Sequence, residues 1–125
     1  WVARNTGLTG TALNVNYMVM RPGDKHKPDT VHELLIATDA GVYRTTSGGR
    51  NWTPFALPDP SNVQFADSPA ATVSQLIFDW VDYDPGDLDT IYCRGYYATN
   101  SRLWIYKSAT AGAAGSWSSR GVVAT

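Results

Sequence analysis

The chain has 125 residues, which suits a single domain and lets folding bury roughly two-thirds of the surface that the unfolded chain exposes. Its 10 basic and 11 acidic side chains nearly cancel, and no block of like charge occurs, so we expect no nucleic-acid partner. The longest apolar run is too short and too interrupted to cross a bilayer, and we therefore expect no membrane span.

The first half of the chain reads as strands separated by turn residues. Leu13, Val15, Tyr17 and Val19 occupy every second position, so their side chains point the same way in a strand, which is typical of a strand with one buried face. Turn-forming residues then interrupt the apolar stretches at 22–24, 39–41 and 47–50. The predicted strands of this first unit cover 13–20, 31–38, 42–46 and 51–55.

The second half repeats this organisation. Four further strands are predicted at 76–83, 90–97, 102–108 and around Trp117. The only cysteine, Cys93, lies in the apolar and aromatic stretch IYCRGYY, which predicts a buried and unreactive thiol. The segment 56–75 is rich in turn formers and is predicted to be a long connection between strands.

Short sequence matches recur in the same order in both halves, which indicates a repeated unit with loops of different length. The matches are Pro22-Gly23-Asp24 with Pro85-Gly86-Asp87 and Tyr43 with Tyr106 (both 63 residues apart), Asp29-Thr30 with Asp89-Thr90 (60 apart), and Trp52 with Trp117 (65 apart).

One passage permits a helix instead of a strand. Ser68-Pro69 is a good helix start, and Val73, Leu76, Ile77, Trp80 and Val81 have helical spacing. The repeat, however, aligns this passage with the first predicted strand. We therefore favour a strand from about Leu76, preceded by one helical turn.

The stretch Thr45-Thr46-Ser47-Gly48-Gly49-Arg50-Asn51-Trp52 resembles the Asp-box, or bacterial neuraminidase repeat, with Ser47 where aspartate is usual. A looser copy contains Ser108, Thr110 and Gly112, with Trp117 two residues late. The flanking phrases ATDAGVYRT and DYDPGDLDTIY are similar to those of sortilin-like and xyloglucanase-like β-propellers. The resemblance implies an all-β fold with two four-stranded antiparallel blades of an incomplete propeller.

On this resemblance the box is a folding motif between the third and fourth strands of a blade. The residue in the aspartate position, Ser47 or Thr110, is expected to accept hydrogen bonds across the turn. Gly49 is expected to supply backbone freedom and Trp52 to pack between sheets. Trp1 takes the place of a tryptophan that closes a preceding box.

The boxes divide the single fragment 1–125 into a first blade region, 1–52, and a second, 53–125. Because propellers need four or more blades to close, the expected partners are further blades from the same chain or from other chains.

Two kinds of functional site were considered. In xyloglucan-cleaving propellers an aspartate in a phrase similar to ATDAGVYR is catalytic, so the resemblance makes Asp39 a candidate for glycoside hydrolysis. The alternative is a turn aspartate without catalytic function, because no in-chain partner or upstream glycine-rich segment is present. Tyr96, Tyr97 and Trp104, with Trp80 and Tyr83 nearby, are candidates for stacking on a carbohydrate ligand. The alternative is that most of these aromatic side chains pack in the core between blades, with one or two of the first three exposed.

The remaining polar motifs have simpler interpretations. The SGGR stretch lacks the lysine and following helix of a phosphate loop. The run Asp82, Asp84, Asp87, Asp89 misses calcium-loop spacing, and His26 and His32 read as loop residues, so no metal and no cofactor are expected. The sequon at 51–53 lies within the box and reads as coincidence.

The resemblance therefore implies an extracellular, surface or periplasmic module with a binding or structural role. The alternatives are the N-terminal part of a xyloglucanase-like hydrolase and a sortilin-like or assembly-factor propeller that binds protein segments.

Overall fold

In a computed structural model of the chain, the described residues are 5–23, 32–61, 71–99 and 102–122. They form two four-stranded antiparallel sheets, each with its strands side by side in chain order. The predicted fold class, all-β with two four-stranded antiparallel blade-like sheets, is confirmed. The first sheet contains β1 (Val15–Met20), β2 (Leu34–Thr38), β3 (Gly41–Thr45) and β4 (Thr53–Pro54), and the second contains β5 (Ile77–Asp84), β6 (Asp87–Tyr97), β7 (Arg102–Ser108) and β8 (Trp117–Val122).

The helix alternative near residue 75 is resolved in favour of a strand. A single 3₁₀ turn, Val73–Gln75, precedes β5, and a reciprocal pair of hydrogen bonds between Thr72 and Gln75 caps it. Leu76 then adopts an extended backbone with φ −89° and ψ 144°, which ends the turn. A second 3₁₀ turn, Gly10–Leu13, occupies the start of the predicted first strand, so β1 begins only at Val15.

The pairing of strands repeats residue by residue between the two sheets. Met20 pairs with Leu34, and Leu34 with Thr45, just as Tyr83 pairs with Ile91 and Ile91 with Ser108. β1 and β3 therefore recur 63 residues later, whereas β2 recurs 57 residues later. Asp29-Thr30, which suggested an offset of 60, lies outside the described residues.

A β-bulge also recurs at the same place. The register shifts between Val15 and Tyr17 in β1 and between Phe78 and Trp80 in β5, so Asn16 and Asp79 are the extra residues. Bulges that recur at one position are structural features and not irregularities of a single strand. The two sheets are thus repeats in pairing as well as in sequence.

The main core lies between the sheets. The docking face of the first sheet, which carries Val19, Leu35, Ala37, Val42 and Phe55, packs against the second sheet. The inner face of the second sheet meets it with Phe78, Val81, Tyr83, Ile91, Cys93, Trp104, Tyr106 and Trp117, all of which are buried.

Each sheet has a second face. On the first sheet this open face carries Val15, Met18, Met20, Leu34 and Ile36, and a small cluster of Leu8, Ala12, Ile36 and Trp52 covers part of it. On the second sheet the outer face carries Asp82, Tyr92, Arg94, Ile105, Lys107 and Arg120.

Candidate functional site: the two box turns and the inter-sheet contact

A buried hydroxyl at the end of β3 organises the first box turn. Thr45 Oγ1 accepts hydrogen bonds from the backbone N–H of Ser47 (3.2 Å) and of Gly49 (3.0 Å), and Thr45 is only 1% exposed. Gly48 and Gly49 follow with φ of 67° and 93°, a left-handed backbone that glycine adopts without a steric penalty. The Gly48 N–H donates to the carbonyl of His32 at 3.2 Å, which joins the turn to the segment just before β2.

The second box turn has the same construction. Ser108 Oγ accepts from the N–H of Gly112 at 2.9 Å and of Thr110 at 3.3 Å, and Ser108 is fully buried. The N–H of Ala111 donates to the carbonyl of Asp89 at 2.7 Å, the counterpart of the bond from Gly48 to His32. Ala111 holds a φ of 56°, so a non-glycine residue adopts the left-handed conformation here.

The main acceptor in these turns is therefore the first residue of the box. Ser47, in the aspartate position, does accept one backbone bond, from the N–H of Asn51 at 3.2 Å. In the second turn Ser116 is the additional support, because its hydroxyl bonds Ser108 Oγ at 2.7 Å and donates to the Ala113 carbonyl at 2.6 Å. Sequence reasoning named Thr45 and Ser108 but gave the central role to the aspartate position two residues later.

The box tryptophans pack in two different environments. Trp52 lies with Leu8, Ala12 and Ile36 on the open face of the first sheet, and its backbone N–H donates to the Thr6 carbonyl at 2.8 Å. Trp117 lies in the core between the sheets, with its ring centroid 5.2 Å from that of Phe55. Its indole N–H donates to the carbonyl of Gly112 at 3.3 Å.

The first sheet makes a specific contact with the second box turn. Arg44 Nη1 donates to the carbonyl of Ala111 at 2.6 Å, and its guanidinium lies 4.9 Å from the centroid of the Phe55 ring. Phe55 also fills the space beside Gly112, where an added Cβ would collide with the ring. Sequence analysis missed Arg44, although one signal was present: a basic residue precedes the hydroxyl of both boxes, as Arg44-Thr45 and Lys107-Ser108.

Asp39 is held by two amide side chains from the neighbouring segment. Its Oδ1 accepts from Asn16 Nδ2 at 2.8 Å and its Oδ2 from Asn14 Nδ2 at 3.2 Å. Asn16 also donates to the carbonyl of Phe78 in β5 at 2.9 Å, so the bulge residue connects the two sheets. The turn that contains Asp39 is closed by Thr38, whose hydroxyl accepts from the Ala40 N–H and donates to the Gly41 carbonyl.

The three candidate stacking residues do not form one platform. Tyr96 pairs with Leu103 on the outer face, whereas Tyr97 and Trp104 belong to the inner face. Trp104 is only 1% exposed and its indole N–H donates to the Ser61 carbonyl at 2.7 Å, so it is a core residue. This burial favours the alternative of core packing for Trp104 over stacking on a sugar.

The acidic residues of the β5–β6 turn accept bonds from that turn. Asp84 Oδ1 accepts from the Gly86 N–H at 2.8 Å, and Asp87 accepts from the Asp89 N–H and the Thr90 hydroxyl. Within the described residues no three His, Cys, Asp or Glu side chains are grouped as a metal site. His26 lies outside the described residues.

Three groups of the described residues have shifted pKa values, and burial raises that of the Tyr106 hydroxyl. Burial raises the pKa of the Cys93 thiol, so it stays protonated and unreactive in the folded protein. The paired hydrogen bonds from Arg94 to Asp79, both 2.9 Å, raise the pKa of the Arg94 guanidinium.

No helix in the described part of the chain is long and apolar enough to cross a bilayer.

Comparison with known proteins gave no match: no protein-family model, no curated protein and no solved structure matches the chain.

Proposed function

We propose that the chain is a two-blade part of an Asp-box β-propeller and serves a structural or binding role in an extracellular or surface-exposed protein or assembly. One observation carries this proposal. Arg44 and Phe55 of the first sheet hold the box turn of the second sheet, so the box is part of the contact between repeats. A turn used for packing in this way fits a structural role better than a catalytic one.

The experiment compares Arg44→Met with Arg50→Met by denaturant unfolding. Arg44 donates to a backbone carbonyl of the other sheet, whereas Arg50 is an exposed residue of the first box turn. We expect Arg44→Met to lower the free energy of unfolding by about 1–3 kcal/mol, because the Ala111 carbonyl loses a charged donor. Arg50→Met is expected to have an effect within about 0.5 kcal/mol. Equal effects of the two substitutions would remove the support for a packing role of the box.

The contacts of Asp39 bear on the hydrolase alternative. Both carboxylate oxygens accept amide hydrogen bonds that join the β2–β3 turn to the segment at β1, and this favours a positioning role over acid–base chemistry. We expect no release of reducing ends from xyloglucan oligosaccharides by the chain. Hydrolysis by the wild-type chain that Asp39→Asn abolishes would establish the alternative.

A further inference from the structure

Apolar side chains are unusually exposed in β1 and at the end of the 3₁₀ turn before it. Leu13, Val15, Met18 and Met20 are 51%, 46%, 60% and 41% exposed, and none of them is charged or polar. Val15, Met18 and Met20 lie on the open face, because they pair directly with Thr38, Ile36 and Leu34. Exposed apolar side chains grouped on one face in this way indicate an interaction site.

The second sheet contains the same four positions in a buried state. The residues 63 positions later are Leu76, Phe78, Val81 and Tyr83, which are 1%, 0%, 0% and 4% exposed. The docking face of the first sheet covers them. The molecule therefore shows what covers such a face: a four-stranded sheet with apolar residues in the register of Val19, Leu35, Val42 and Phe55.

Within the described residues, the outer face of the second sheet has apolar side chains at two of these four positions. On the outer face of the second sheet, Tyr92 and Ile105 stand where Leu35 and Val42 stand on the docking face. Lys107 occupies the position equivalent to Arg44. Arg44 donates to the Ala111 carbonyl, and the equivalent carbonyl in the first box turn is that of Gly48. A groove of about 430 Å³ runs between Tyr92, Ile105, Lys107, Ser118, Ser119 and Arg120 on this face.

We propose that a second copy of this chain packs its outer face on the open face, head to tail, and so repeats between copies the contact that already exists within one. The inference rests on the proposed function, because it treats the chain as two units of a repeated array. In a row of copies joined by this heterologous contact, one end copy keeps a free open face and the other end copy keeps a free outer face. If the rotation between neighbouring copies brings these two ends together, the row closes into a ring.

The outer face is more polar than the docking face, and this determines the strength of the contact. Asp82, Arg94 and Arg120 replace Val19, Ala37 and Phe55. Arg94 keeps its own counter-charge, Asp79, at 2.9 Å, so its burial leaves no isolated charge. Arg120 forgoes the ring contact that Phe55 makes with Trp117. The association is therefore reversible and depends on protein concentration.

Sedimentation velocity over a range of protein concentrations tests the proposal. The wild-type chain is expected to shift from one copy to larger species as the concentration rises. Met18→Glu on the open face and Ile105→Glu on the outer face are each expected to sediment as single copies. Lys107→Glu is a second outer-face variant at an exposed position, and Ala98→Glu, at an exposed turn, is the control that leaves association unchanged. Circular dichroism verifies that every variant is folded.

An equimolar mixture of the two single-copy variants gives the sharpest readout. The intact outer face of Met18→Glu meets the intact open face of Ile105→Glu, so the mixture is expected to form pairs that grow no further. Self-association of folded Ile105→Glu and Lys107→Glu would show that open faces pair with each other, and this would overturn the head-to-tail contact. A wild-type chain that stays a single copy at every concentration would overturn the proposal altogether. The stability comparison of Arg44→Met with Arg50→Met is read within one chain, so it tests the proposed function separately.

Discussion

Ser108, fully buried at the end of β7, accepts hydrogen bonds from two backbone N–H groups of the second box turn. Removal of its hydroxyl in Ser108→Ala leaves the N–H groups of Thr110 and Gly112 without this acceptor. The unmet hydrogen bonds are expected to lower the free energy of unfolding by about 1–3 kcal/mol. Urea denaturation followed by tryptophan fluorescence measures the change.

Two further substitutions of serine residues serve as controls for Ser108→Ala. Ser108→Thr keeps the hydroxyl that Thr45 supplies in the first box, and it is expected to be closer to wild type than Ser108→Ala. Ser118→Ala removes a hydroxyl from an exposed position one residue after Trp117 and is expected to be nearly neutral. A Ser108→Ala variant as stable as Ser118→Ala would show that the buried hydroxyl does not hold the turn.

Gly112 and Gly115 form a matched pair in the same turn. Both have a positive φ, 78° and 79°, but a Cβ on Gly112 would collide with the Phe55 ring whereas one on Gly115 would meet nothing within 4 Å. Gly115→Ala is expected to cost about 1–2 kcal/mol, from backbone strain alone. Gly112→Ala is expected to cost clearly more, because the strain is joined by displacement of Phe55. Thermal unfolding of both variants checks the difference, and equal melting temperatures would argue against the contact.

At the scale of elements, β1 and β5 are equivalent strands in opposite environments. Met18 is 60% exposed and its counterpart Val81 is fully buried. We expect Met18→Lys to leave the free energy of unfolding within about 0.5 kcal/mol of wild type, measured at low protein concentration. Val81→Lys places a charge in the inter-sheet core and is expected to destabilise the fold severely. Comparable losses in the two variants would mean that β1 is buried in the isolated chain.

The order of strands could be predicted from sequence because turn residues punctuate each unit. β7 begins and ends at the predicted residues, 102 and 108, since polar turns flank an alternating apolar run. β4 is only two residues long, Thr53–Pro54, although the repeat predicted a longer strand. Proline has no N–H to donate to a sheet, which is consistent with so short a pairing there.

The contacts between sheets could not be predicted in the same way. Which face of a strand is buried depends on contacts between distant segments of the chain. For example, the Ser61 carbonyl accepts a hydrogen bond from the indole N–H of Trp104. Local alternation does not contain this information, so the sequence leaves both core packing and a ligand surface open for Trp104. The partners of Asp39, 23 and 25 residues away at Asn16 and Asn14, were beyond local patterns for the same reason.

At the scale of the whole molecule, the two sheets pack on each other through one inter-sheet core. The inner face of the second sheet is covered by the first, and a buried hydroxyl closes both box turns. Each turn is also bonded to the second strand of its own sheet or to the segment just before it. The open face of the first sheet and the outer face of the second remain available for the same contact. Both the proposed role as part of a propeller and the proposed self-association depend on that geometry.

Nuclear Overhauser effects from the Phe55 ring test this geometry most directly. Phe55 belongs to the end of the first sheet, and Gly112 and Trp117 belong to the second. We expect strong effects from the Phe55 ring protons to the Gly112 Hα protons and to the Trp117 indole, with the Gly112 signals shifted by the ring current. Absence of these effects, with Phe55 in a solvent-exposed environment, would contradict the packing of the first sheet on the second box.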